Sequence, residues 1–242
     1  MNKLPIVTKN LLAINVLMFL AALVAERQGV FLEDILGLHF FMAEDFYPFQ
    51  FVTYMFMHGG IAHLFFNMFA LYMFGRAMEH VLGAKRFLIY YLVAGIGAGL
   101  LQEMVAYLHY SFIVADMDPQ VVAIVHSNGA DIFHEHMNFG NPEMANLNLV
   151  LNVPTVGASG AIYAILLGFA MTFPNEKMYI FPIPFPIKAK FFVIGYAAIE
   201  LFLGVSGSRD GVAHFAHLGG MLFGLVLILI WRKKKKIGGP YV

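Results

Sequence analysis

The sequence predicts an all-α, polytopic membrane protein built as a bundle of six transmembrane helices, and three observations predict it. Hydrophobic residues make up 60% of the 242-residue chain and charged residues only 12%, where a soluble chain carries about 25% charged residues. Mean hydropathy is +0.73. Apolar runs of roughly 15 to 22 residues recur from end to end, close to the ~20 that an α-helix needs to cross ~30 Å of hydrocarbon. One membrane-embedded domain over residues 1–242 is expected, its core at about 47–231, with a basic cytoplasmic tail at 232–242. The absence of cysteine excludes disulfides, thiolate catalysis and Cys-ligated metals.

The first span, residues 11–25, follows Lys3 and Lys9 as a signal peptide would. Leu23 is too large for the −3 position of the one plausible cleavage site, Ala22-Leu23-Val24-Ala25, so the run is kept as a span. The second, 61–78, opens behind His58-Gly59-Gly60, and the third covers 87–108. The connection 109–154 is too long for a plain turn, lacks Lys and Arg, and holds an apolar stretch at 121–125 suited to a membrane surface. Its conformation stays open at this level. The fourth span is 155–173. Behind it, Pro182, Pro184 and Pro186 forbid helix and predict an extended cytoplasmic linker within 174–190. The fifth span, 191–205, is short like the first, so each lengthens into its flanks or meets a thinned bilayer. The sixth, 213–231, ends at a basic cluster. No internal repeat is visible, which counts against an inverted-repeat transporter.

Thirteen of the fifteen Lys and Arg residues fall on one side of these spans: Lys3 and Lys9, then Arg76, Lys85 and Arg86, then Lys177, Lys188 and Lys190, then residues 232–236. Only Arg27 and Arg209 lie on the other. Cytoplasmic loops hold the positive excess, so both termini are expected in the cytoplasm. The second, fourth and sixth spans then all enter from the outer face.

That topology brings three distant polar groups to one depth. The second span contributes His58, His63 and Asn67; the fourth, Gly157 and Ser159; the sixth, His214 and His217. Polar side chains inside a bilayer are costly and mark functional sites by default. An imidazole that takes the hydroxyl proton turns a weak nucleophile into one that attacks a carbonyl. Ser159 and His217 are therefore expected to form a catalytic dyad, since no carboxylate stands out beside either. His63 and Asn67, spaced i, i+4, share a helix face and offer N–H groups to an oxyanion, together with the Ser159 backbone N–H. Gly220 and Gly224 form a G-x-x-x-G pair on the face of His217, and Gly160, Ala164 and Gly168 line up at i, i+4, i+8, so the two helices can meet closely. Tyr163, one turn below Ser159, is placed to pack on the His217 ring.

Gly157-Ala158-Ser159-Gly160 resembles the G-x-S-G motif of rhomboid intramembrane serine proteases. His63 to Asn67 is similar to their H-x-x-x-N, and Ala216-His217-Leu218-Gly219-Gly220 with Gly224 to their A-H-x-x-G-x-x-x-G. The resemblance runs from about Tyr47 to Gly224. It implies a rhomboid-like six-helix bundle that hydrolyses peptide bonds in or near substrate transmembrane helices, with Ser159 as nucleophile, His217 as general base and an oxyanion site at His63, Asn67 and the Ser159 N–H. It also implies a water-filled cavity open to the outer side, and substrates with small or helix-destabilising residues near the scissile bond. Tyr47-Pro48-Phe49-Gln50-Phe51 stands where many members carry a Trp-Arg pair.

Plainer roles are assigned to the remaining polar residues. Ser159 alone would read as a small residue at a helix crossing; three motifs at one depth reverse that. His214 is expected at the cavity rim, and His58 as a structural hydrogen-bonder beside the oxyanion region. His126, His134 and His136 are read as loop residues, with no metal or other cofactor expected. Glu103 and Glu200 fall in the outer halves of their spans and reach cavity water or the interface. Glu79 pairs with Arg76 at the cytoplasmic end. The partners expected are transmembrane protein substrates and membrane lipids, the latter through the basic tail. No nucleic acid is expected, and the residues leave the oligomeric state open. Competing functions are a proteolytically silent relative that binds transmembrane clients, and a transporter. A bacterial inner membrane is the expected location.

Overall fold

The computed structural model describes residues 3–179, 184–207 and 212–234. Pro182 of the proline-bearing linker, Arg209 and the end of the basic tail lie outside the described residues. The described chain is mostly helical. Four helices are long and apolar enough to cross a membrane: α1 (Ile6–Glu26), α6 (Ala84–Ala115), α10 (Ala189–Ser206) and α11 (His214–Lys233). Both α1 and α10 start upstream of the runs read from hydropathy, so the two short spans lengthen into their flanks.

Between α1 and the next long element come two short helices, α2 (Leu32–Leu36) and α3 (Gln50–Thr53). Residues 61–82 then follow one helical path made of α4 (Ile61–Ala70), a π-helical turn (Leu71–Gly75) and α5 (Arg76–Leu82). The backbone keeps right-handed helical dihedrals at both junctions, at Ala70 and Leu71 and at Gly75 and Arg76. The fourth expected span starts as helix only at Ser159, in α9 (Ser159–Thr172), not at Thr155. Thr155 is instead bridged to Leu38, each backbone N–H donating to the other's carbonyl at 2.8 and 2.9 Å. Gly157, at φ +129°, keeps the residues ahead of Ser159 out of the helix. Beyond α9, Lys177–Met178 (β1) and Ile187–Lys188 (β2) form a two-stranded antiparallel ribbon ahead of α10.

α6, α9 and α11 form the centre, with α11 packed along both of the others. Small residues make this possible. A β-carbon on Gly219 would stand 2.8 Å from Leu101 Cβ on α6, and one on Gly224 would stand 2.7 Å from Ala164 Cβ on α9. Buried tyrosines tie the helices by their hydroxyls: Tyr90 donates to Ala164 O at 2.6 Å and Tyr54 to Gly95 O at 2.6 Å. Glu79 caps α1. Its carboxylate accepts from Val7 N (2.9 Å), Thr8 N (2.7 Å) and Thr8 Oγ1 (2.7 Å). The two N–H groups are donors that a helix N-terminus leaves without partners, and the anion suits that end of the dipole.

The connection 109–154 resolves into a helical hairpin, α7 (Pro119–His134) and α8 (Pro142–Asn152). Asp118 and Asn141 cap these helices with proline in the first turn, the arrangement preferred at helix starts. At 32 residues α6 is about 48 Å long, more than the ~30 Å of hydrocarbon, and the hairpin packs on its far end. Phe40, Tyr110, Val125, Leu147 and Leu151 form a second apolar cluster there.

Gln50 takes the central place in the loop where the Trp-Arg pair is replaced. Wholly buried, its side chain accepts from His39 N and Tyr47 N at 3.3 and 3.1 Å and donates to Ile35 O and Asp45 O at 3.2 and 2.8 Å. A neutral amide that both donates and accepts satisfies four backbone groups at once.

Candidate active site

The N-terminal ends of α4, α9 and α11 converge at one end of the bundle. Gly157, just ahead of α9, adopts φ +129° and donates its N–H to Tyr54 O at 2.9 Å. A β-carbon there would lie 2.8 Å from His63 Nε2. Glycine is thus required both by the backbone and by the imidazole seated over it. The sharp turn delivers Ser159 as the first residue of α9, where its backbone N–H has no intrahelical acceptor.

His217, on the first turn of α11, places Nε2 2.8 Å from Ser159 Oγ. Its other face is covered by Tyr163, whose ring stacks at 4.1 Å and 10°. Tyr196 of α10 stacks behind Tyr163 at 5.3 Å and 8°, so the imidazole caps an aromatic column. Gly160 and Gly220 meet directly: a β-carbon on Gly220 would stand 2.6 Å from the Gly160 carbonyl carbon. Asn67 is buried, and its side-chain Nδ2 has no hydrogen-bond partner. Ser159, His217, His63 and Asn67 line one open cavity with Glu200. The residues expected to gather here do so, and the unpartnered Asn67 amide belongs to a residue that lines the same cavity.

Three expectations need correction. A carboxylate does stand beside His217: Glu200 Oε2 lies 3.0 Å from His217 Nδ1 and 2.6 Å from His214 Nδ1, and Glu200 Oε1 accepts from the Tyr163 hydroxyl. The partners of Glu200 depend on the rotation of α10 about its axis, which sequence position does not set. Its signal was an ionisable residue inside an apolar run at the depth of Ser159. His214 is correspondingly buried against Glu200 and not confined to a rim. His58 is buried with its ring edge-on to His63 at 5.0 Å, and neither ring nitrogen makes an aligned hydrogen bond.

Glu200, His214 and His217 present three metal-ligating types together. Ligand atoms on a tetrahedral metal with bonds near 2.1 Å stand about 3.4 Å apart. The 2.6 Å between Glu200 and His214 is the length of an N–H···O hydrogen bond. Of the three histidines expected in a loop, His126 and His134 lie on α7, and the three go separate ways, His126 to the Tyr110 hydroxyl (3.0 Å), His134 to Asp45 (3.3 Å) and His136 to the Phe31 ring. Glu103 accepts from Phe41 N at 2.8 Å, tying α6 to the loop after α2.

The chain is similar to Rhomboid protein 1, mitochondrial, of Saccharomyces cerevisiae, with 27% identity over 178 residues, 71% of this chain and 38% of that protein. Rhomboid protease AarA of Providencia stuartii is 25% identical over 180 residues, 73% and 53% of the two chains. Rhomboid-like protein 11, chloroplastic, of Arabidopsis thaliana is 26% identical over 231 residues, 85% and 62%. The chain thus matches between 38% and 62% of the length of these relatives. The family model described as the Rhomboid domain matches residues 45–234, from the loop that Gln50 holds to the end of α11, and the chain belongs to the rhomboid family.

Proposed function

We propose that this chain is an intramembrane serine endopeptidase that cleaves peptide bonds in or near transmembrane segments of membrane-protein substrates. The observation that carries the reading is the 2.8 Å approach of His217 Nε2 to Ser159 Oγ inside a cavity bearing an unsatisfied Asn67 donor. His217 takes the Ser159 proton as Oγ attacks the scissile carbonyl. The tetrahedral oxygen is received by Asn67, His63 and the Ser159 N–H. His217 then gives its proton to the leaving amine, and a water entering through the cavity hydrolyses the acyl-enzyme by the same steps. Gly157, Gly160, Gly220 and Gly224 hold the elements close, Tyr163 holds the imidazole, and His58 packs behind His63.

The bundle crosses the membrane six times in this reading. Residues 61–82 make a path of about 33 Å, enough to span. α9, about 21 Å long, is shorter than the hydrocarbon layer. With its C-terminal end at the cytoplasmic surface, its first residue lies roughly 9 Å beneath the opposite one. The Lys and Arg distribution supports cytoplasmic termini, an outward-opening cavity and a single domain with a basic, lipid-facing tail. A bacterial inner membrane suits this plan.

The test incubates purified protein in liposomes with a single-span reporter and compares wild type, Ser159→Ala and His217→Ala. Cleavage by wild type alone is expected, together with fluorophosphonate labelling of Ser159 that His217→Ala abolishes. Cleavage surviving Ser159→Ala overturns the mechanism, and a silent wild type leaves client binding as the function.

A further inference from the structure

We propose that Glu200 is a positioning residue for the reaction, so that this chain works through a buried Ser159–His217–Glu200 relay completed by Tyr163 and His214. This rests on the protease reading above and extends it. For His217 Nε2 to accept the Ser159 proton, its neutral ring must carry its hydrogen on Nδ1. That nitrogen is buried, and Glu200 Oε2 at 3.0 Å is the acceptor placed beside it. The contact lies off the ideal N–H line, as such contacts do before substrate tightens them. Fixing the hydrogen on Nδ1 selects the tautomer that can act as base. After proton transfer the ring is an imidazolium whose buried Nδ1 edge stands next to a carboxylate.

The chemistry around Glu200 fits an ionised carboxylate. Its side chain is 6% exposed on a helix otherwise rich in apolar residues. A buried carboxylate without donors is strongly disfavoured. Here each oxygen has one or more. The Tyr163 hydroxyl donates to Oε1, and the Nδ1 positions of His214 and His217 face Oε2. Tyr163 therefore serves twice, holding the imidazole by its ring face and the carboxylate by its hydroxyl. The groups facing His217 are Ser159 and Tyr163 from α9, Glu200 from α10, His214 from its own helix and His63 from α4. Glu200 is the one carboxylate among them.

A plain structural bolt joining α10 to α9 and α11 would have the same contacts, so the test separates the two. Glu200→Gln keeps the size and an acceptor but removes the charge; Glu200→Asp keeps the charge and shortens the reach. In the reporter assay we expect Glu200→Gln to lower kcat by roughly 10²- to 10⁴-fold with KM within about threefold, the scale on which a base loses its tautomer partner. Glu200→Asp is expected to recover part of kcat. A bolt predicts instead a lowered unfolding temperature with wild-type kcat for the folded fraction, and that result overturns the proposal.

Ser159→Ala in the same assay reports on the protease reading alone. If wild type shows no Ser159-dependent turnover, proton NMR of the protein in micelles still decides the relay. Two downfield ring N–H resonances are expected, one lost in His217→Ala and the other in His214→Ala, both moved upfield in Glu200→Gln, whose acceptor is neutral. A His217 resonance that keeps its wild-type position in Glu200→Gln overturns it.

Discussion

Gly220→Ala tests whether the helix crossing sets the nucleophile–base distance. The added methyl lands on the Gly160 carbonyl group, 2.6 Å from its carbon and closer to its oxygen. Both atoms belong to backbone, so no side chain can swing away. Restoring ordinary contact with that oxygen at about 3.4 Å requires α11 and α9 to separate by about 1.6 Å, a change that overpacked cores resist at about 1–3 kcal/mol. Gly220 lies one turn from His217, and Gly160 adjoins Ser159. The same separation carried to the site would take the 2.8 Å between His217 Nε2 and Ser159 Oγ to about 4.4 Å, past hydrogen-bond range. A misplacement of that size costs on the order of 10²-fold in rate. The assay is fluorophosphonate labelling of Ser159 alongside thermal unfolding in detergent. Gly195→Ala on α10 serves as the control, because a β-carbon there meets nothing within 4 Å. Labelling of Gly220→Ala at the wild-type rate, with an unchanged unfolding temperature, refutes the idea that this crossing sets the site.

Asn67→Ala should lower turnover by about 10²–10³-fold while leaving fluorescence-monitored unfolding within a degree or two; unchanged turnover removes Asn67 from the oxyanion site. Gln50→Ala strands four backbone groups in a buried loop and is expected to cost about 2–4 kcal/mol, read as a lower unfolding temperature. His126 gives a pH prediction. Burial holds its pKa below the ordinary histidine value, so in acid the unfolded chain takes up a proton that the folded one resists, and stability is lost as pH falls below about 6.5. Hydrogen-exchange protection of α7 and α8 should therefore be weaker at pH 5.5 than at 7.5, and His126→Asn should abolish that difference.

What could be read ahead of the structure divides by the range of the forces involved. Ser159, His217, His63 and Asn67 were legible because each lies near the start of a span, and charge asymmetry sets which ends share a surface. Two further signals are local. Asp118-Pro119 and Asn141-Pro142 spell the starts of α7 and α8, and Gly157, at φ +129°, holds the start of α9 back to Ser159. The role of Glu200 was less accessible, since depth follows from sequence position but azimuth about α10 depends on which neighbours it packs against. Gln50 lay further out of reach. Its four partners are backbone atoms of a loop whose path exists only after folding.

The cap that Glu79 places on α1 also bears on the order of assembly during synthesis. Val7 and Thr8 emerge some seventy residues before their acceptor. Until residue 79 has been made, the N–H groups at that end of α1 have lipid headgroups and water as their partners. Glu79 replaces those partners with one that joins α1 to α5. The tie can form only once both helices have been made, and it needs no residue of the helices that bear Ser159 and His217.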